Sequence, residues 1–486
     1  MRQLLQEADG DLLAFRRSYP EADRLLDEMS PDLWQSDEAV AGARILSLLK
    51  HGRANEAAAC LVVIRREPET ILWTFYDLVI AVHRGGRIGR DRLDRWTGLE
   101  AHLLDASPLR RGLYHNSMLI VLARMGENAK ARAAADRAVE LFRAADHPHL
   151  EHYIHLHLAG IDCHEGNFRA ARRRVVLARD RLRAAAASPD SPLVEAMATI
   201  LDYEAGATAA VAARAPGIRE ALLGGDCWID IFLDLARVGV LATHMEEGRP
   251  AALAELDRFR RAYALRHGDA DPTLDLIQAQ IERMDLQDGE ARHIFDAVAF
   301  DPPQSAAGRT CLAGLDAGLR HGLDAGRKTD PRSFILHHLG KAEGASDAAE
   351  RRSHVEAALR KAAREDHAAP FLEHSEAFKW IASKLASGRF ARGDRRLLHL
   401  TRRVVRAVPA RPAVPSSLRH LGLTRHQHRV VLALQAGRTN KQIARFLGMT
   451  EANVKYHLSR LYALTGRRNR KELHDLFRET EASAEN

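Results

Sequence analysis

Cysteine is scarce in this 486-residue chain: Cys60, Cys163, Cys227 and Cys311 stand far apart and form no C-x-x-C pair. That scarcity argues against a disulfide framework and a cysteine zinc site, and it fits a reducing cytoplasm. Aromatic residues make up 6% of the chain. With few alternating β-branched runs and an abundance of Ala, Leu and Arg, the composition favours helix over sheet. No stretch approaches the roughly 18 consecutive apolar residues of a membrane span. The opening Met1-Arg2-Gln3-Leu4-Leu5-Gln6-Glu7 turns acidic at once and lacks the apolar core of a signal peptide. A soluble cytoplasmic protein without a membrane partner is expected.

Catalytic signatures are missing as well. The nearest approach to a phosphate-cradling G-x-x-x-x-G-K-[ST] loop is Gly322-Leu323-Asp324-Ala325-Gly326-Arg327-Lys328-Thr329, which has the wrong spacing and follows no strand. No local G-x-S-x-G occurs, and the N-terminal region lacks the strand–helix alternation of a phosphoacceptor domain. Neither an enzyme nor a cofactor is expected. His147, His149, His152, His155, His157 and His164 invite a metal reading, since His149, His152 and His155 are spaced by three on a helical stretch. Successive i, i+3 residues drift around a helix, however, and no Glu-x-x-His supplies a base. Solvated or inter-repeat histidines are the preferred reading, with no metal.

What the chain does contain is ordinary globular material, 46% hydrophobic and 28% charged, with length for more than one domain. Glycines recur about every forty residues, at Gly52, Gly86, Gly126, Gly166, Gly206, Gly248, Gly289, Gly344 and Gly388. An apolar helical stretch precedes each and an Ala-rich one follows, as in Met125-Gly126-Glu127-Asn128-Ala129 and Glu165-Gly166-Asn167-Phe168-Arg169-Ala170-Ala171. Gly permits the sharp reversal, and the small Ala residues let two helices pack closely, so the unit is a helical hairpin. Hairpins that each leave an apolar face uncovered stack into an α-solenoid. The expected fold is all-α, with a solenoid over 1–407. The irregular stretch between Gly289 and Gly344, with Asp301-Pro302-Pro303 and a glycine-dense run, reads as an irregular repeat or insertion. Three prolines, Pro409, Pro412 and Pro415, mark 408–417 as an extended linker.

The segment 418–480 reads as a four-helix unit with a helix-turn-helix, followed by a short tail at 481–486. Thr424 caps a helix carrying Val430, Val431 and Leu434, which Gly437 stops. Asn440 or Thr439 caps a short second helix over Lys441–Leu447, and a Gly448-Met449-Thr450 turn leads to a third, Glu451–Leu464. There Val454, Leu458 and Leu461 form an inward stripe, while Lys455, Tyr456 and Ser459 face away. The alternative is that these three merely line a solvated face. Charge favours a polyanion: residues 416–480 hold 13 Lys or Arg against 4 Asp or Glu, whereas the whole chain carries +7.

This segment resembles the LuxR/FixJ (GerE)-type helix-turn-helix of bacterial transcription regulators. The resemblance rests on Leu423-Thr424, the Gly437-x-x-Asn440-Lys441-x-Ile443-Ala444 run, Leu447-Gly448, Val454-Lys455-x-His457, Leu461-Tyr462 and Gly466-x-Arg468-Asn469-Arg470-x-Glu472-Leu473. It implies a transcriptional regulator that binds double-stranded DNA, with Lys455, Tyr456 and Ser459 reading base edges. Thr424, Asn440, Lys441, Thr450, Arg468 and Arg470 are implied phosphate contacts. A fourth helix, about Asn469–Arg478, is similar to the one through which such domains form homodimers, here by Leu473, Leu476 and Phe477; covering the domain's own core is the other use of that stripe. The chain departs from the pattern at Arg425-His426-Gln427, where Pro-Arg-Glu is usual, and at Asn453, where Thr is usual. Tyr456 replaces a commonly smaller aliphatic residue, so base preference does not transfer.

The repeats resemble the tetratricopeptide-like region of large regulators of the maltose-regulon activator class. That likeness implies an unknown small-molecule or protein effector at the repeats, with RNA polymerase a further candidate partner. The competing reading is an interaction scaffold whose terminal helical domain serves docking or dimerisation.

Overall fold

The computed structural model describes residues 9–15, 26, 34–65, 68–184, 191–225, 227–267, 271–285, 288–299, 301–320, 331–374, 394–407, 427, 430–431, 433–434, 437–447 and 449–482. No strand occurs among the described residues, and the fold is all-α. The chain separates into two compact units, one of residues 1–281 with 291–407, the other of residues 282–290 with 408–486.

In the first unit successive helices pair as hairpins. They are α1 (Glu38–Lys50) with α2 (Ala54–Val63), α3 (Ile71–His83) with α4 (Arg90–His102), and α5 (Pro108–Arg124) with α6 (Asn128–Ala144). The series continues as α7 (Glu151–His164) with α8 (Phe168–Ala184), α9 (Pro192–Glu204) with α10 (Thr208–Leu223), and α11 (Ile229–Glu247) with α12 (Arg249–His267). After α13 (Pro272–Met284) and α14 (Asp288–Ala299), of which residues 282–284 and 288–290 count with the second unit, and α15 (Ala306–Leu319) come the pair α16 (Pro331–Gly344) and α17 (Ala348–Ala363), the short α18 (Ala369–Glu373), and α19 (Arg395–Ala407).

The turns follow the glycine period. Gly52, Gly86, Gly126, Gly166, Gly206 and Gly248 all have positive φ, between 66° and 102°. Gly126 shows why: its N–H reaches Ala123 O at 3.0 Å and the Glu127 N–H reaches Leu122 O at 2.8 Å, a closure that needs a left-handed residue. Beyond Gly248 the grammar changes. Gly289 lies in the first turn of α14 and Gly344 is the last residue of α16, neither at positive φ, and Gly388 lies outside the described residues. The α16–α17 connection relies instead on Asp347, whose carboxylate accepts the N–H groups of Ala349 and Glu350 at 3.0 Å. Asp146, at φ 58°, makes the same left-handed closure between α6 and α7; a glycine count passes over it.

Small residues set the helix spacing. Ala131, Ala135 and Ala138 of α6 are fully buried. A Cβ on Gly112 of α5 would stand 2.7 Å from the Phe142 ring, so this hairpin closes only with glycine there. α11 is buried all round, from Ile231 to Met245, and packs against α9, α10, α12 and α15.

Arginine closes the helix ends. Arg124 donates to Ala81 O at 2.9 Å and Val82 O at 3.2 Å, the final carbonyls of α3. Arg309 does the same for α5, donating to Arg124 O at 2.6 Å and Ala123 O at 3.2 Å. Arg266 reaches Leu222 O at 2.9 Å and His51 O at 3.3 Å. The last carbonyls of a helix lack partners and carry partial negative charge, which a guanidinium satisfies. Later segments of the same chain therefore touch several of the early hairpin ends. Gln304 exchanges two hydrogen bonds with the Ile88 backbone, at 2.8 and 3.2 Å, and Pro331 lies over Gly166.

A buried ionic cluster ties α9 to segments far along the chain. Glu204 accepts from Arg237, from Arg332 at 2.6 Å and from the His367 ring at 2.8 Å. Glu373 accepts from Arg237 at 3.0 Å, from Arg332 at 3.1 Å and from the Tyr203 hydroxyl at 3.2 Å. Burial alone would raise the Glu204 carboxyl, but Arg332 and Arg237 hold it well below the usual range. The four cysteines are free and buried, and burial pushes the Cys311 thiol up to about 12.

Candidate nucleic-acid interface

The second unit is built on its own apolar cluster of Val430, Val431, Ala433, Leu434, Ile443, Ala444, Val454, Leu458, Leu461 and Leu473. The described residues at 427–434 are helical, and Gly437 ends that helix at φ 72°. Then α20 (Asn440–Leu447), α21 (Glu451–Thr465) and α22 (Arg470–Ala482) follow.

Thr439 caps α20. Its hydroxyl oxygen accepts the Gln442 N–H at 3.3 Å, while the Gln442 side chain accepts the Thr439 N–H at 2.8 Å. This reciprocal box satisfies two otherwise orphaned donors and leaves Asn440 free for another role. Thr450 caps α21, its oxygen accepting the Asn453 N–H at 3.2 Å. Gly466, at φ 67°, ends α21 in a left-handed turn. Two capped helices joined by a short turn make the helix-turn-helix.

On α21, Val454, Leu458 and Leu461 are buried and Lys455, Tyr456 and Ser459 are exposed, Tyr456 to 58%. Arg460, one turn on from Tyr456, is also exposed and holds its guanidinium 5.9 Å from the ring centroid. Sequence reasoning passed over Arg460, although its i+4 spacing from Tyr456 was the available signal.

The expected phosphate contacts divide. Lys441, Thr450 and Arg468 are exposed on the domain surface. Arg470 is committed inward: its Nη1 donates to Asn440 Oδ1 at 3.2 Å and its Nη2 to Arg438 O. Both side chains are half-buried, and the bond between them joins the first turn of α20 to the start of α22. Thr424 lies outside the described residues, as do the linker 408–417 and the run Gly322–Thr329. Asn469 caps α22, accepting the Glu472 N–H at 3.0 Å, and Glu472 in turn accepts the Arg468 N–H at 2.8 Å.

The stripe expected either to pair two copies or to cover the domain's own core divides by residue. Leu473 is fully buried, in one apolar cluster with Val430, Leu434, Val454 and Leu461. Leu476 is only partly buried against the same core, and the Phe477 side chain lies outside the described residues.

The histidine run is occupied by ordinary contacts. The His152 ring donates to His149 O at 2.6 Å, the His157 ring stacks 3.8 Å from that of Trp228, and His164 pairs with Asp234 at 2.9 Å. Among the described residues no group of three His, Cys, Asp or Glu is placed to hold a metal. No described helix is long and apolar enough to cross a membrane.

Residues 421–477 match the GerE family, described as bacterial regulatory proteins, luxR family. The C-terminal domain is therefore a LuxR-type helix-turn-helix of the kind its caps and stripe describe. No curated protein and no solved structure matches the chain.

Proposed function

We propose that the protein is a sequence-specific transcription regulator that acts in the cytoplasm by setting α21 into the major groove of double-stranded DNA. The observation that carries this reading is the outward face of α21. It presents Lys455, Tyr456 and Ser459 from a helix capped at both ends and backed by its own apolar core, in a domain matched to a family of DNA-binding regulators. A rigid helix gives base-reading side chains fixed positions, while Lys441, Thr450 and Arg468 around it suit phosphate oxygens.

Binding as a homodimer on two half-sites is part of the proposal. With Leu473 committed to the core, pairing through α22 rests on Leu476 and its neighbours. The helical region is assigned the receipt of a small-molecule or protein effector, with RNA polymerase a candidate partner of the bound regulator. The scaffold alternative has less support, since nothing comparable to the family match of the terminal domain points to a partner of the repeats.

Selection and sequencing of genomic fragments retained by the full-length protein at two salt concentrations tests the reading. Enrichment of a shared, partly palindromic site is expected. Retention of DNA with no sequence preference at either salt would overturn it.

A further inference from the structure

Most arginines of the first unit face a carboxylate or a helix-terminal carbonyl, but α19 departs from that habit. Asp394 caps this helix, its Oδ1 accepting the N–H groups of Arg396 and Leu397 at 3.0 Å. Leu397, Leu400, Thr401 and Val404 are buried, and the helix packs on α17 and α18. The opposite face exposes Arg395, Arg396, His399 and Arg402. Among the described residues, none of the Arg395, Arg396 and Arg402 guanidinium groups has an ion-pair or hydrogen-bond partner. The nearby carboxylate of Asp366 is taken by Arg403, with His399 at 3.9 Å.

Local composition is equally one-sided, with nine Lys or Arg against two Asp or Glu from 375 to 407. Three unpaired guanidinium groups spread over about two helical turns, or roughly 10 Å, fit a partner with closely spaced anionic groups. Duplex DNA offers one phosphate charge per ~1.7 Å of axis, and guanidinium forks match phosphate oxygens in pairs. Chain connectivity supplies the occupant: α19 ends at Ala407 and the LuxR-type match begins at residue 421. At no more than about 3.5 Å per residue, those intervening residues span at most ~50 Å, about one and a half turns of duplex.

We infer that the exposed face of α19 is an auxiliary docking surface for the phosphate backbone of duplex DNA flanking the site read by α21. This rests on the proposed function and extends it: the footprint reaches beyond the terminal domain, and the added contacts carry affinity without sequence information. The chemistry is electrostatic, so its signature is the salt dependence of binding.

The test compares the full-length protein with the R395Q/R396Q/R402Q variant on a long duplex carrying the selected site, a long random duplex, and a short duplex trimmed to the site. The substitutions lie on an exposed face, and unchanged circular dichroism and thermal midpoint confirm folding. The expected result is a slope of log affinity against log salt shallower by two to three units on both long duplexes, at about 0.9 per lost phosphate contact. Affinity should fall by a similar factor on both, on the order of tenfold, with little change on the short one. Equal slopes for variant and wild type on the long duplexes would overturn the inference while leaving the regulator intact. Loss of binding to anionic vesicles with DNA binding untouched would also overturn it and assign the patch to a lipid surface. Wild-type protein that binds none of the duplexes would overturn the proposed function itself, and this inference with it.

Discussion

Arg470, at the start of α22, donates through Nη1 to Asn440 Oδ1 in the first turn of α20, 3.2 Å away and 30 residues earlier in the chain. Its second nitrogen donates to the Arg438 carbonyl, so one guanidinium spans the approach to the helix-turn-helix. Arg470→Ala should therefore lower the stability of the domain by about 1–2 kcal/mol and weaken all DNA binding alike. Arg470→Lys should restore little, since a single ammonium cannot reproduce the planar fork. Thermal denaturation of full-length variants, followed by the transition of the terminal domain, checks this. A fully stable variant with weakened DNA binding would return Arg470 to the phosphate contacts.

Lys455 and Lys441 should part company when measured on two DNAs. Lys455 stands on the outward face of α21, whereas Lys441 is exposed at the second residue of α20. Lys455→Ala should cost about 1–3 kcal/mol on the preferred site and much less on random duplex. Lys441→Ala should weaken both to the same degree. Titrations of each variant against the two duplexes at fixed salt decide it, and equal losses for both variants on both duplexes would remove Lys455 from base reading.

How far the sequence reached depended on the kind of interaction. Helix caps and turns are local, so Thr450, Gly437 and the hairpin glycines through Gly248 were legible from residue type and spacing alone. Where a side chain's partner lies far along the chain, residue type misleads. Arg470 reads as a surface cation until Asn440 is seen beside it, and for Leu473 the sequence leaves a dimer seam and the domain's own core both open until the core is seen to include it. The Glu204 cluster was invisible for the same reason: its members are scattered from Tyr203 to Glu373, and no period connects them. Gly289 and Gly344 kept the spacing without the backbone, because a glycine count cannot distinguish a turn from a helix's first or last turn. Arg460 was within reach and was missed.

Breaking the buried ionic cluster should be costly, and breaking it from one side should cost more than removing it. Arg332 is bonded to both Glu204 and Glu373, and all three side chains are almost completely buried. Arg332→Met leaves two buried carboxylates facing a single guanidinium, Arg237, and should destabilise the first unit by about 3–5 kcal/mol. Adding Glu373→Gln to that variant should recover part of the loss, since one uncompensated charge is removed. Denaturant midpoints of the single and double variants measure this, and a double variant less stable than the single would contradict the account.

Acid should loosen the same unit through His267. Its ring donates to the His83 carbonyl at 2.7 Å and sits among Phe232 and Tyr263, and burial pushes its pKa down from 6.5 to about 4. The unfolded chain therefore binds a proton between those values that the folded chain refuses. Stability is full above about pH 6.5 and declines as pH falls toward 4, by up to about 3 kcal/mol from this one group. His367, which burial also holds below its ordinary value despite Glu204 beside it, acts in the same direction. His267→Gln keeps a donor for the His83 carbonyl and has no proton to gain. It should lower the thermal midpoint somewhat at pH 7.5 and flatten its dependence between pH 6.5 and 4.5. Parallel pH curves for wild type and variant would show that the acid sensitivity lies elsewhere.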